Sequence, residues 1–249
     1  MIVLSNELLV ILFALMVAGF TKGLTGLGLP MVSVPVLANF FGVEQAVMII
    51  IIPVLVTNIW LMIGLRDCYP EVPELRRIIF FGIPGASIGA FLLYYSPEKL
   101  LASLLAFWIL IYLLISIFRS NLILSQVTRN IIAPYVGFFS GILQSSSGIS
   151  APVVASYVDA IKISPKAYVF TVASIFTALS GTHFIILIFL QAYSKIVFVE
   201  GLWAILPTVI FVALGSKVRK FMSPLIFRRI IKALLVMMAI RLIYNNWFI

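Results

Sequence analysis

The stretch GFTKGLTGLGLP, from Gly19 to Pro30, interrupts an apolar run with four glycines, two threonines, one proline and one lysine. Glycine and proline end helices, and a lysine deep in an apolar segment carries a charge into hydrocarbon. The stretch therefore reads as a break in a membrane helix, and the rest of the sequence is read outward from it.

The 249 residues are 63% hydrophobic and only 10% charged, with a mean hydropathy of +1.21. So few charges do not cover a water-soluble domain of this length, whereas a polytopic membrane protein needs no such cover. Apolar runs at 8–20, 46–63, 78–95, 100–118, 167–190, 202–216 and 230–243 approach or reach the roughly 20 residues that span a bilayer as a helix. The fold class expected is an all-α polytopic membrane protein forming one membrane domain. Met1–Asn6 carries no Lys or Arg and Glu7 is acidic, so the first segment is expected to be retained rather than cleaved as a signal. The single cysteine, Cys68, excludes an internal disulfide and a cysteine-built metal site. The net charge of +9 sits in short loops, where it sets topology, so no nucleic-acid partner is expected.

The opening stretch recurs. Gly141–Pro152, GILQSSSGISAP, aligns with it without gaps, Gly19 on Gly141, Gly26 on Gly148, Pro30 on Pro152 and Lys22 on Gln144. Small residues face small residues: Gly23 meets Ser145, Thr25 meets Ser147, and Gly28 meets Ser150. GVEQAV at 42–47 resembles SPKAYV at 164–169, and Ser96-Pro97 is echoed by Ser223-Pro224. The ordered series points to a duplication, with a first repeat over 1–119 and a second over 120–249. In each, an apolar segment runs into the Gly/Ser-rich motif and a short one leaves it (29–41 and 151–161). Three spans then follow, at 44–65, 76–95 and 98–118, and at 165–191, 199–216 and 226–247.

If each motif is the tip of a re-entrant or broken helical hairpin, three crossings follow it and the second repeat is inverted. Charge counting agrees. Arg66, Arg76, Arg77, Arg119, Arg129, Lys162, Lys166, Lys217, Arg219, Lys220, Arg228, Arg229 and Lys232 fall on one side, against Lys99, Lys195 and Arg241 on the other. Acidic residues divide evenly. The thirteen-cation side is assigned to the cytoplasm, which puts both termini outside. The two tips then enter from opposite faces and are expected to meet near the midplane and line a shared cavity, because non-helical backbone at that depth must be buried in protein or reached by water.

Such tips present free N–H groups at the starts of their second arms, which attract anions. The expected substrate-binding residues are Lys22, Thr21, Gly23, Thr25, Gly26 and Gly28 of the first motif. The second supplies Gln144, Ser145, Ser146, Ser147, Gly148 and Ser150. Lys22 has two readings: it binds an anion, or it snorkels to the cytoplasmic face as one more topological charge. His183, the only histidine, lies within a span and either carries a coupling proton or packs as a hydrogen-bonded core residue. Thr57 and Asn58 read as interhelical hydrogen-bonding residues, Trp60, Trp203 and Trp247 as interfacial anchors or packing, and Pro53, Pro84 and Pro207 as kinks. No catalytic residue, metal site or cofactor is expected, because the spans lack the pairings that catalysis needs.

Two glycine-rich motifs ending in proline, each followed by an alanine-bearing helix start (Ala46 and Ala167), resemble the sulfite exporter TauE/SafE family, also called the 4-toluene sulfonate uptake permease family. The family pattern is denser, of the form G-x-G-G-G before a proline, and this chain carries Leu29, Ser150 and Ala151 where that pattern has glycine. The resemblance runs from Gly19 to Tyr244. It implies secondary transport of a small anion, sulfite or an organosulfonate, in a bacterial cytoplasmic (inner) membrane. An anion channel using the same cavity and a transporter of a small carboxylate are the alternatives. The expected partners are the anionic substrate, the lipid bilayer and a second copy in a homo-oligomer.

Overall fold

The structure is a computed structural model, which describes residues 6–26, 28–115, 123–218, 233 and 235–244. Among these residues every regular element is helical: α1 (Asn6–Thr25), α2 (Leu29–Phe41), α3 (Val43–Gly64), a 3₁₀ turn (Arg66–Glu71), α4 (Leu75–Tyr95), α5 (Glu98–Ile115), α6 (Gln126–Ser147), α7 (Ala151–Ala160), α8 (Pro165–Phe189), α9 (Lys195–Val218) and α10 (Leu235–Tyr244). Five of them, α1, α3, α4, α8 and α9, are long and apolar enough to cross a membrane. Aromatic side chains such as Phe13, Phe80, Phe107 and Phe139 are exposed along the helices, a surface that lipid solvates.

The expected short arms, 29–41 and 151–161, are α2 and α7. Helix boundaries fall within a residue or two of the predicted spans at 44–65, 76–95 and 165–191, and α9 begins four residues earlier than predicted. The order of elements is the same on either side of the 116–122 segment: a broken pair, then three helices. The boundary between 119 and 120, Leu27, Ser223-Pro224, Trp247 and the cations Arg119, Arg219, Lys220, Arg228, Arg229 and Lys232 lie outside the described residues. Helices run through Pro53, Pro84 and Pro207.

The chain folds as two compact units. The first comprises residues 1–53, 96–113 and 193–249; the second comprises 54–95 and 114–192. Each takes its helices from both sides of residue 120.

The main seam of the first unit packs α1 on α9. Small residues make it: a methyl group at Gly19 would stand 2.8 Å from the Thr208 carbonyl oxygen, and one at Gly23 would collide with the Val212 carbonyl and the Gly215 backbone. Without a hydrophobic drive between helices in lipid, such close backbone approach is what van der Waals packing uses instead. Away from the seam, the backbone N–H of Val43 donates to Glu98 Oε1 at 2.7 Å, so a carboxylate from the start of α5 caps the start of α3. The phenol of Tyr193 donates to the Met48 carbonyl at 3.1 Å.

The second unit is built on the α4–α6 seam, joined by α8. Here the small residues are Gly82, Gly85 and Gly89 on α4 and Gly137 and Gly141 on α6, and a methyl group at Gly141 would lie 2.6 Å from the Ala86 nitrogen. The start of α8 is capped by its own Ser164, whose hydroxyl accepts from the Ala167 N–H at 3.2 Å, and that cap is held in turn by another element. Ser164, its N-cap, donates through its N–H (3.1 Å) and its hydroxyl (2.9 Å) to the Glu71 carboxylate.

Candidate functional site

The first helix break ends α1 at Thr25. Gly26 takes a left-handed φ of 78°, and its N–H closes on the Lys22 carbonyl at 2.8 Å. Gly28 then caps α2 with φ 103° and ψ 5°, a conformation open to glycine and strained for other residues. Pro30 follows in the first turn of α2, where its missing N–H costs nothing, and no side chain caps that helix. Lys22 is 4% exposed and lies in the last turn of α1, where the helix dipole favours a cation. The threonine hydroxyls point their hydrogens back along α1, Thr21 to the Val17 carbonyl (2.8 Å) and Thr25 to the Thr21 carbonyl (2.9 Å).

The second break repeats this geometry in the second unit. Gly148 is left-handed at φ 71°, and its N–H closes on the Gln144 carbonyl at 3.1 Å. Ser150 sits at the N-cap of α7 yet does not cap it, because its hydroxyl donates to Gln144 Oε1 at 2.6 Å. The other end of that amide reaches Ser180 on α8, Nε2 donating to its hydroxyl at 3.5 Å. Pro152 occupies the first turn of α7. Ser147 donates to the Leu143 carbonyl, while the buried hydroxyl of Ser145 has no hydrogen-bond partner among the described residues. Ser146 is buried beside it in sequence. His183 is buried on α8, and its Nε2 has no partner among the described residues.

Of the sequence-predicted residues, Lys22, Thr21, Gly23, Thr25, Gly26 and Gly28 belong to the first unit. Gln144, Ser145, Ser146, Ser147, Gly148, Ser150 and His183 belong to the second. Gly23 serves the α1–α9 seam directly. Thr57 donates to the Val54 carbonyl within its own helix. Trp60 and Trp203 are exposed. Sequence reading missed Ser180, one of two serines in an apolar helix, with nothing in its spacing to mark it as the partner of Gln144. Among the described residues no group of three or more His, Cys, Asp or Glu is placed to hold a metal ion.

Helices this apolar, five of them long enough to cross a bilayer and two helical runs interrupted at left-handed glycines, define a polytopic helical membrane protein. The chain belongs to the sulfite exporter TauE/SafE family, whose model matches residues 11–242. No curated protein and no solved structure matches it. It is therefore an integral membrane protein of a transporter family of the sulfite and sulfonate type, which implies a small anionic substrate.

Proposed function

We propose that the chain is a secondary transporter that moves sulfite or an organosulfonate by alternating access, with the two helix breaks as its substrate-handling elements. The observation that carries this reading is Lys22, 4% exposed in the last turn of a broken membrane helix. A lysine in hydrocarbon costs about 2.5–3.5 kcal/mol on insertion scales, which an anionic ligand offsets. The uncapped starts of α2 and α7 supply backbone donors. Gln144 and the serines add neutral donors without a repelling carboxylate, since neither motif contains Asp or Glu. A hydroxyl bonded to a carbonyl four residues back turns outward at small cost, because that carbonyl keeps its helical N–H.

The test is direct binding of a panel of sulfite, sulfonates and carboxylates to purified protein, followed by counterflow in proteoliposomes. Saturable binding of sulfur oxyanions with counterflow is the expected result. Flux without saturation or counterflow makes the protein a channel, and binding confined to carboxylates removes the sulfur specificity.

The proposed topology is an inverted repeat of 1–119 and 120–249, with the thirteen-cation side in the cytoplasm and both termini outside. Hydrogen bonds support a common side for three of the cation-bearing segments. Arg77 donates to the Asn130 carbonyl at 2.9 Å, Arg129 to the Ile161 carbonyl at 2.8 Å, and Glu71 accepts from Ser164. The seams also correspond, Gly19 meeting Thr208 as Gly141 meets Gly85. Cys68, in the 3₁₀ turn, is then expected to resist membrane-impermeant thiol reagents in intact cells and to react in inside-out vesicles. Labelling in intact cells would reverse the orientation.

A further inference from the structure

Helix α8 of the second unit carries polar side chains of two kinds. Thr171 and Thr182 donate back to the carbonyls four residues earlier, Ala167 at 2.7 Å and Ala178 at 3.0 Å. Buried hydroxyls in the other apolar helices do the same, Ser147 on α6 and Thr208 on α9 among them. Ser174 and Thr177 do not: their buried hydroxyls have no hydrogen-bond partner among the described residues, and neither has His183 Nε2. The two kinds occupy different faces. Thr171 and Thr182 are eleven residues apart, about three full turns, and share one face. Ser174, Thr177, Ser180 and His183 recur at every third residue. Each such step turns the helix back by about 60°, so the four wind as a ribbon around the other half of α8, about 13 Å from end to end.

Packing fixes where the ribbon faces. Ser180 meets Gln144 on α6, and its neighbours point to either side. A methyl group at Gly82 of α4 would stand 2.6 Å from Leu179 Cδ2, and one at Gly181 would stand 3.9 Å from Leu55 Cδ2 on α3. His183, three residues past Ser180, falls between the α4 and α6 directions. Thr177 and Ser174 carry the ribbon back along the helix onto its α3 side. On α6 the residue after Gln144 is Ser145, buried at 0% exposure, its hydroxyl also without a partner among the described residues. The Ser145 Cβ lies 2.9 Å from where a methyl group at Gly89 of α4 would stand.

Unmet polar groups inside a membrane protein are costly, because no bulk water repays them. All of these groups are neutral, and α4, α6 and α8 contain no Asp or Glu that would suit them to a cation. Hydroxyl protons rotate to meet an acceptor, and a neutral imidazole offers one N–H. Ser180 accepts from Gln144 at 3.5 Å, a long bond, and keeps its own O–H to give. We propose that this face of α8, with Ser145 beside it, is a binding track for an oxyanion, in which Ser174, Thr177, Ser180 and His183 donate to the oxygens of a sulfonate or sulfite as it moves through the second unit. The track rests on the transport reading above and adds to the two helix breaks a third substrate-handling element.

The test is binding of methanesulfonate and sulfite to the full purified chain, in wild type and in single variants of the two faces. Ser174→Ala, Thr177→Val and His183→Gln are each expected to weaken binding about two- to tenfold, the worth of one neutral hydrogen bond. Thr171→Val and Thr182→Val, on the back-bonded face, are expected to bind as wild type does. Equal losses on both faces, or no loss on the ribbon, overturn the track. A second readout comes from His183 being the only histidine, so that a tag-free chain carrying isotope-labelled histidine reports a single imidazole. Its Nε2 resonance is expected to shift on adding either anion, in wild type and in Thr182→Val alike. A resonance that stays in place while an anion binds overturns the contact and leaves the transport reading standing. A chain that binds neither anion overturns both.

Discussion

The two helix breaks share a backbone and differ in chemistry. Both close a left-handed glycine N–H onto the carbonyl four residues back, Gly26 on Lys22 and Gly148 on Gln144, and both restart with a proline in the first turn. At the equivalent side chain the first carries an ammonium and the second an amide. The amide is already committed, accepting from Ser150 and donating to Ser180. The second break therefore has a satisfied amide beside one unpartnered hydroxyl, that of Ser145, whereas the first carries the only formal charge of either motif. On the proposed transport reading, the difference assigns charge recognition to the first break and a fixed neutral geometry to the second.

The largest effect that tests this division is at the charge. Lys22→Gln is expected to weaken sulfite binding about ten- to hundredfold, the worth of a charge-assisted hydrogen bond of roughly 1.5–3 kcal/mol. Lys22→Glu is expected to be worse and Lys22→Arg intermediate. Gln144→Leu leaves Ser150 and Ser180 without their partner and is expected to lower thermal stability more than it lowers affinity. Binding isotherms and melting curves on the four purified variants check both halves. Equal affinities for wild type and Lys22→Gln would leave Lys22 a topological charge alone.

A smaller effect separates the two backbones. Gly148, at φ 71° and ψ −3°, lies near the left-handed region that asparagine tolerates, while Gly28, at φ 103°, lies outside it. A side chain at Gly28 also meets the Thr21 methyl at 3.2 Å. Gly28→Asn is therefore expected to cost about 1–3 kcal/mol more than Gly148→Asn, read as the difference in stability between the two proteins. Gly64→Ala is the control: a methyl group there meets nothing within 4 Å, and its effect is expected to stay within about 0.5 kcal/mol.

The spans and breaks were legible because each leaves a local mark: 20 apolar residues for a span, left-handed glycines before a proline for a break. The helix pairing was not. Gly19 and Gly23, Gly137 and Gly141, and Gly82, Gly85 and Gly89 all announce close-packing faces, but small residues look alike from either side, so nothing in the sequence says that α1 takes α9 while α6 takes α4. At the site, the serines and threonines were identified by type, but the direction in which each hydroxyl donates depends on backbone geometry. Arg129 was read only as a topological charge, and its 4.0 Å approach to Glu74 was not legible, because a carboxylate before one helix and a guanidinium in the first turn of another, 55 residues apart, carry no joint signature.

The nested arrangement of the two units sets an order of assembly. All of the second unit lies within residues 54–192, and the first unit closes around it in sequence. At about 5–20 residues per second of synthesis, α6 follows α4 off the ribosome within seconds. α1, ending at Thr25, waits on the order of ten to thirty seconds for α9, which begins at Lys195. During that interval the Gly19 and Gly23 face of α1 has no α9 to pack against, and Lys22 sits in a helix whose own seam has not formed. Until the far end of the chain arrives, the first span has only its own hydrophobicity and its packing against α2 to hold it.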